Sequence, residues 1–479
     1  MRGKEGNTET WRRQGTELFY RCCKSEEGNP NRIVILRNEG SGLEQIPPPS
    51  GCRSKKIKMK VTSYTQDPQV AELIKQLHDS NIPSKIFSDV TDGTRQYVDL
   101  VMEGGGVLGV ALAGYVYVLE QMNIRFLQLG GTSAGAINTM LMATAGPIEQ
   151  TKTEWILEKI VNKDFYDFVD GDNSAKNFID ALLNDASNVK LAWRALQVVP
   201  DFRDDLGLCA GQQFYEWMRN LMREKNIYTL QDLLELRRIT PGGGLYNRYA
   251  ESIKYTPANY ERIVIVVADV STQSKIIFPE MAHLYWAFPL EVCPAQFVRA
   301  SMSIPFFYHP YRVKDIPQGY DAEIAWFKST GFKGVPKEVV MVDGGIMSNF
   351  PIDVFHVQGA VPHAPTFGVK LGYERIKTQR TDKFFPYLSS VFDAARHIHD
   401  YDFIARNPDY NKLLCCIDTG DHNWMNFRIT DEAKLDLFRR GVKAGANFLK
   451  GFEKLAPAFT PRRNRSSLAS SVIRKFIQL

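Results

Sequence analysis

The chain has 479 residues, 44% of them hydrophobic and 24% charged, with a formal net charge of +5. That length supports a large core and more than one structural unit, and the composition is that of an ordinary globular protein, which excludes a disordered or fibrous chain. The mild positive charge permits attraction to anionic membranes without calling for a nucleic-acid partner, and none is expected.

The seven cysteines are Cys22, Cys23, Cys52, Cys209, Cys293, Cys415 and Cys416. They form no C-x-x-C metal spacing and no disulfide ladder, so reduced thiols and a cytoplasmic setting are expected. The opening "MRGKEGNTETWRRQGTELFY" lacks the apolar core of a signal peptide. The longest near-apolar stretch, residues 104–119, opens with three glycines. It falls short of the roughly 18 residues of a spanning helix. Membrane contact is therefore expected to be peripheral.

Residues 1–66 are polar, with clusters such as "QIPPPSG" and a basic alternating run "KKIKMKV". A loosely structured extension is expected, with short strands at residues 32–36 and 57–61. Asp67-Pro68 reads as a helix cap with a first-turn proline, followed by Val70, Leu73, Ile74 and Leu77 at helical spacing. A catalytic domain is assigned to residues 67–455, with its core motifs at 97–372 and a helical C-terminal part at 376–455.

From Tyr97 the pattern changes. "YVDLVME" is β-rich, "VLGVALAGYVYVLEQM" helix-like, "IRFLQL" a second strand and "AGAINTMLMATA" a second helix. That alternation signals an α/β fold with a mostly parallel sheet. "ERIVIVVADV" and "KEVVMVDGG" add two apolar, β-branched strands of the buried type. Between them come the helical segments "AGQQFYEWMRNLM" and "TLQDLLEL". Thr430 caps a last helix in which Leu435, Phe438, Val442, Ala446 and Leu449 share a face. Residues 456–479 lack acidic side chains and read as a basic amphipathic tail suited to an anionic membrane surface.

Two glycine corners carry the chemistry. In Gly131-Thr132-Ser133-Ala134-Gly135, a serine sits between glycines after a strand and before a helix. That is the pattern of a nucleophile elbow, although glycine–serine turns also join strands to helices for purely structural reasons. The first strand ends in Glu103-Gly104-Gly105-Gly106-Val107-Leu108-Gly109. Consecutive glycines leave backbone N–H groups uncovered, and the next helix adds its positive end, so this corner suits an anion. A nominal G-x-G-x-x-G is present, but the acidic residue expected at the end of the second strand is missing, as is any G-K-[ST]. That disfavours a nucleotide and favours an acyl-transfer oxyanion. Neighbouring parallel strands bring both corners to one sheet edge. Only one βα unit separates them, which is not the spacing of the common α/β-hydrolase fold.

At these residues the chain resembles the patatin-like phospholipases. "GGGVLG" corresponds to their oxyanion loop, "GTSAG" to their elbow and "DGG" at Asp343-Gly344-Gly345 to their base-bearing segment; "RASMSIPFFYHP" and "VVADVSTQ" are also similar to family segments. The resemblance implies a three-layer α/β/α sandwich and a Ser–Asp dyad. Ser133 would attack an ester carbonyl, Asp343 would take its proton, and the N–H groups of Gly104, Gly105 and Gly106 would hold the oxyanion. It implies a phospholipid or other lipid ester as substrate, with no cofactor and no metal; any protein activator is unknown. The family usually carries a basic residue where Leu108 stands.

Competing readings remain at this stage. Asp343 in Asp-Gly-Gly also fits a turn aspartate, and Asp269 after its own apolar strand reads as structural. His283, His309, His356 and His363 leave a Ser–His–Asp triad open. His397 and His399 are two apart and do not share a helix face, so they are not read as a metal pair. The glycines beside Ser133 and Asp343 suggest exposed corners. A lipid acyl hydrolase of phospholipase A or lysophospholipase type is expected, with a neutral-lipid lipase, an acyltransferase and an inactive lipid-binding protein as alternatives.

Overall fold

The computed structural model describes residues 10–13, 16–19, 60–183, 205–356, 362, 364–372, 390 and 403–452. The chain divides into two compact units, Met1–Lys58 and Met59–Leu479. In the first, β1 (Thr10–Arg13) and β2 (Thr16–Phe19) pair antiparallel. The strand expected at 32–36 and the tail at 456–479 lie outside the described residues, as do His363, His397 and His399.

In the second unit the strand expected at 57–61 lies mostly outside the described residues; its last residue, Val61, is the N-cap of α1 (Thr62–Thr65). The next helix, α2 (Pro68–Asp79), starts as the sequence reads: the Asp67 carboxylate accepts from the Gln69 and Val70 amides, and Pro68 fills the first helical position. Arg439 from the far end of the chain binds both oxygens of the same carboxylate.

Then come β3 (Val90–Thr91) and β4 (Gln96–Met102), α3 (Gly109–Gln121), β5 (Ile124–Thr132) and α4 (Ala134–Ala145). Two further helices, α5 (Thr153–Val161) and α6 (Asn173–Leu183), precede β6 (Gly207–Cys209), α7 (Gln212–Arg223) and α8 (Leu230–Arg237). β7 (Leu245–Asn247), β8 (Ala250–Tyr255) and the single turn α9 (Pro257–Tyr260) lead into β9 (Ile263–Asp269), β10 (Ser274–Phe278) and α10 (Ala295–Ser301). β11 (Phe306–Tyr308), β12 (Tyr311–Lys314), α11 (Tyr320–Thr330) and β13 (Glu338–Asp343) follow. The chain continues through β14 (Thr366–Leu371), β15 (Leu414–Ile417) and α12 (Asp431–Gly451).

Among the described residues, eleven strands form one mixed sheet. Its centre is parallel: β15, β14, β4, β5 and β9 lie side by side in one direction. Antiparallel strands extend it: β10 lies beyond β9, β13 with β12 continues along the flank of β9 where β5 ends, and β3, β7 and β8 lie on the other side. β4 and β9 are buried along their whole length, as strands covered on both faces must be, which explains their unbroken apolar character. The C-terminal part, expected to be helical, thus also supplies the strand β15.

Helix α3 is buried over nearly its whole length. Such a helix needs partners all round, and α12 provides one side. Thr430 caps α12 as its sequence indicates, accepting from the Ala433 amide. Phe438, Val442, Ala446 and Leu449 are buried in the core, and Leu435 packs against it.

Candidate active site

The elbow is a strained corner. Ser133 has φ 52° and ψ −116°, a conformation costly for a residue with a side chain, of the order of 1–3 kcal/mol. Both flanking glycines are there because backbone passes too close for a side chain. A Cβ on Gly131 would meet the Gly135 carbonyl carbon at 2.4 Å, and one on Gly135 would meet the Met102 carbonyl oxygen at 2.1 Å. Strand, turn and helix are therefore folded tightly against the end of β4. The first amides of α4 have no intrahelical acceptor, and they converge with the positive end of the helix dipole beside Ser133.

Ser301 at the end of α10 fixes the corner from the other side. Its hydroxyl accepts from the Ser133 amide at 3.0 Å and donates to the Val266 carbonyl at 2.7 Å. The sequence pointed to this segment without giving Ser301 a role; its position within "RASMSIP" was the available signal.

Asp343 reaches the corner by way of β9. In the register of the sheet, β10 takes one flank of β9, and on the other flank Thr132 lies level with Val266 and Asp343 level with the next residue, Val267. Ser133 is one residue past Thr132. The ends of β5 and β13 therefore meet on one flank of β9 at adjacent levels, which brings the elbow and Asp343 together. This arrangement depends on β13 running antiparallel to β9, a direction that an apolar pattern does not encode. Gly344 must be glycine, because a Cβ there would meet the Val266 carbonyl oxygen at 2.1 Å.

The Asp343 carboxylate accepts from the Gly345 amide at 2.7 Å, and its own amide donates to the Ser303 carbonyl at 2.8 Å. A turn aspartate makes the first contact too, and here it also orients the carboxylate. Ser133 and Asp343 are only 6% and 8% exposed, so these are recessed positions rather than the exposed corners that the glycines suggested.

The chain after Asp343 laces the two glycine corners together. The Thr132 hydroxyl donates to the Ser348 carbonyl, the Gly104 amide donates to the Asn349 carbonyl at 3.0 Å, and the Asn349 side chain donates back to the Gly104 carbonyl. Glu103 braces the same region by accepting from the Leu371 amide. Neither Asn349 nor Glu103 stood out in the sequence, because a polar residue in a loop has no distinguishing period. Of the three glycine amides expected to serve an oxyanion, that of Gly104 is thus already engaged. Those of Gly105 and Gly106 have no protein acceptor among the described residues. An ideal Cβ on Gly104 would lie 3.1 Å from the Ser133 Cβ, so the glycine loop and the elbow are in direct contact.

Ser133 opens onto a cleft enclosing about 610 Å³ of empty space, part of it open to solvent. Its walls include Val110, Ile137, Phe168, Phe214, Trp217 and Met302, and among the described residues no lysine or arginine lines it. Leu108 is 8% exposed and belongs to the core. The buried Arg299 donates to the Ala210 and His309 carbonyls and to the Ser303 hydroxyl, a structural use of its charge.

The alternatives separate clearly. Asp269 accepts from the Ser271 and Thr272 amides, the Thr272 hydroxyl and the Tyr285 hydroxyl, which closes the turn between β9 and β10. Burial raises its carboxyl above the ordinary range. His283 meets the Glu280 carbonyl and His356 the Tyr410 hydroxyl, and neither lines the cleft; nor does His309. Among the described residues no group of three or more His, Cys, Asp or Glu is placed to hold a metal ion. No described helix is long and apolar enough to cross a membrane.

Comparison with known proteins places this architecture. The family described as patatin-like phospholipase matches residues 100–356, just over half of the chain. A Bacillus subtilis (strain 168) protein, the uncharacterised YqhO, is 27% identical over 356 residues, covering 74% of this chain and 98% of its own. Among solved structures, VipD from Legionella pneumophila is similar at 15% identity with a TM-score of 0.38, covering 77% of this chain and 70% of that one.

Proposed function

Because the chain belongs to the patatin-like phospholipase family, we propose that it is a lipid acyl hydrolase working through Ser133 and Asp343. The observation that carries this reading is the meeting of the elbow, at the end of β5, with Asp343, at the end of β13, at adjacent levels on one flank of β9. The Ser133 oxygen attacks the ester carbonyl carbon while Asp343 accepts its proton. Charge gathers on the carbonyl oxygen, which the Gly105 and Gly106 amides receive. Collapse expels the alcohol, which leaves with the proton returned by Asp343, and the acyl group remains on Ser133. Water, deprotonated by the same carboxylate, then releases the fatty acid. General-base assistance of this kind is typically worth ~10²–10⁴ in rate, and a single oxyanion donor ~10²–10³.

The apolar cleft beside Ser133 supports an acyl chain as the bound group. Peripheral contact with a membrane surface would deliver such a substrate. A second reading, hydrolysis of uncharged lipid esters or transfer of the acyl group to another alcohol, is favoured by a cleft lining without lysine or arginine among the described residues and by Leu108 in the core. Incubation with mixed membrane and neutral lipids, followed by identification of the released products, distinguishes the two. Labelling of Ser133 by a fluorophosphonate tests the hydrolase reading against an inactive lipid-binding protein, which would leave Ser133 unlabelled.

A further inference from the structure

The family match ends at residue 356, yet the glycine loop is held from well beyond it. The Val107 amide donates to the Trp424 carbonyl at 3.0 Å. Gly106, at φ 54°, lies so close under Trp424 that an added Cβ would come within 2.2 Å of that same carbonyl oxygen. The loop of residues 418–429 therefore rests directly on the backbone that the proposed mechanism uses for the oxyanion. It also enters the cleft wall, where Phe427 stacks on Phe307 with centroids 5.0 Å apart and planes at 19°.

One side chain of α12 gathers this loop. Arg440 donates through Nη1 to the Asp418 carboxylate at 3.0 Å and to the Asp418 carbonyl at 3.3 Å. Through Nε it donates to the Asp436 carboxylate at 2.7 Å, which also meets His422 Nε2 at 2.8 Å. Gly420, at φ 59°, leaves room for the guanidinium, which would sit 2.9 Å from a Cβ there. Helix α12 is in turn fixed to α3. A Cβ on Gly441 would meet the Ala111 carbonyl oxygen at 1.9 Å, and one on Gly114 would meet that of Phe438 at 2.2 Å. Since α3 begins at Gly109, the contacts close a ring: glycine loop, Trp424, residues 418–429, Arg440, α12, α3 and back to the glycine loop.

We infer that residues 418–429 are a positioning element for the glycine loop and that Arg440 is its anchoring residue. This rests on the hydrolase reading above for its catalytic meaning. Arg440 touches no reacting atom; it holds the loop whose Trp424 carbonyl orients Val107, and with it the neighbouring Gly105 and Gly106 amides. Partly exposed ion pairs of this kind contribute little one by one. The effect expected is therefore on geometry, where a displacement of about 1 Å can cost ~10²-fold in rate.

The test uses the full chain with Arg440→Met, which keeps most of the stem and removes the donors, and Arg440→Lys. Three quantities are read: the rate of Ser133 labelling by a small fluorophosphonate, kcat and KM for p-nitrophenyl butyrate, and hydrogen exchange at the Val107 amide. Arg440→Met should slow labelling and kcat about 10-fold with KM within about twofold. Val107 exchange should rise by a similar factor while the β4 amides keep their protection, and Arg440→Lys should recover part of each loss. Unchanged labelling and unchanged Val107 exchange in folded Arg440→Met would overturn the inference. If that variant does not fold, Asp418→Asn on the loop itself carries the same expectation and the same refutation. A wild-type protein that resists labelling refutes the hydrolase reading instead, and Val107 exchange then still decides the anchoring.

Discussion

The Ser133 amide donates to the Ser301 hydroxyl, which hands the bond on to the Val266 carbonyl, so one side chain ties the elbow to the neighbouring strand. Ser301 is fully buried. Ser301→Ala leaves a buried donor and a buried acceptor without partners, at about 1–3 kcal/mol for each group left unmet. Chemical denaturation should show a loss in that range, and Ser133 labelling should slow because the strained corner loses a support. A variant as stable and as reactive as the wild type would show that the elbow holds itself.

For the proposed dyad, Ser133→Ala takes away the proposed nucleophile and Asp343→Asn the proposed base while keeping shape. Each should lower ester hydrolysis by about 10³-fold or more. Because the two act as one unit, the double variant should be hardly worse than either single one. Both sites are recessed, so thermal unfolding must be followed alongside activity. Near-wild-type turnover by folded Asp343→Asn would remove that residue as the base.

Gly135 gives a steric prediction. Gly135→Ala drives a methyl into the Met102 carbonyl, and relief requires α4 to move off β4. A cost of about 1–3 kcal/mol is expected, with loss of labelling at Ser133. Gly242, around which an added Cβ meets nothing within 4 Å, provides the control: Gly242→Ala should leave both properties unchanged. Circular dichroism melts of the two variants make the comparison.

Lys152 gives a pH prediction away from the cleft. It is 1% exposed and donates to the Gly146 and Pro147 carbonyls. Burial first, and then the nearby Arg237 charge, brings its ammonium down from 10.5 to about 7. Between those values the unfolded chain binds more protons than the folded one, so this group makes stability rise with pH, by up to about 1.4 kcal/mol per pH unit. Below about pH 7 the penalty for burying the charge is present in full. Lys152→Met removes the titration. Unfolding free energies measured between about pH 7 and 9 should climb more steeply for the wild type than for the variant, and parallel curves would refute the assignment.

Much of this was legible in the sequence where local rules act alone. The Asp67-Pro68 helix start, the Thr430 cap, the buried strands β4 and β9 and the elbow all follow from period, capping chemistry and glycine placement. Direction and distance were not legible. Nothing in "KEVVMVD" says that β13 runs against β9, because an apolar alternation reads the same both ways. The outer strand β8 shows four exposed positions and so carries no apolar signature. Ser301, Asn349 and Trp424 act through contacts spanning more than a hundred residues of sequence, and no local pattern marks a residue for such a partner.

Strand β4, which opens the motif-bearing block, owes its second flank to residues 366–369 of β14, matched to Asp99–Met102. A fragment stopped at residue 356 would keep the elbow, the glycine loop and Asp343, yet it would present that flank as a bare row of amides and carbonyls. It would also strip α12 from the largely apolar, buried α3. An open strand of this kind recruits other strands, its own copies first. The shortened protein should therefore come out of cells as insoluble material rather than as a weak esterase. The catalytic vocabulary is written in the middle of the chain, and the means of keeping molecules apart is written at its end.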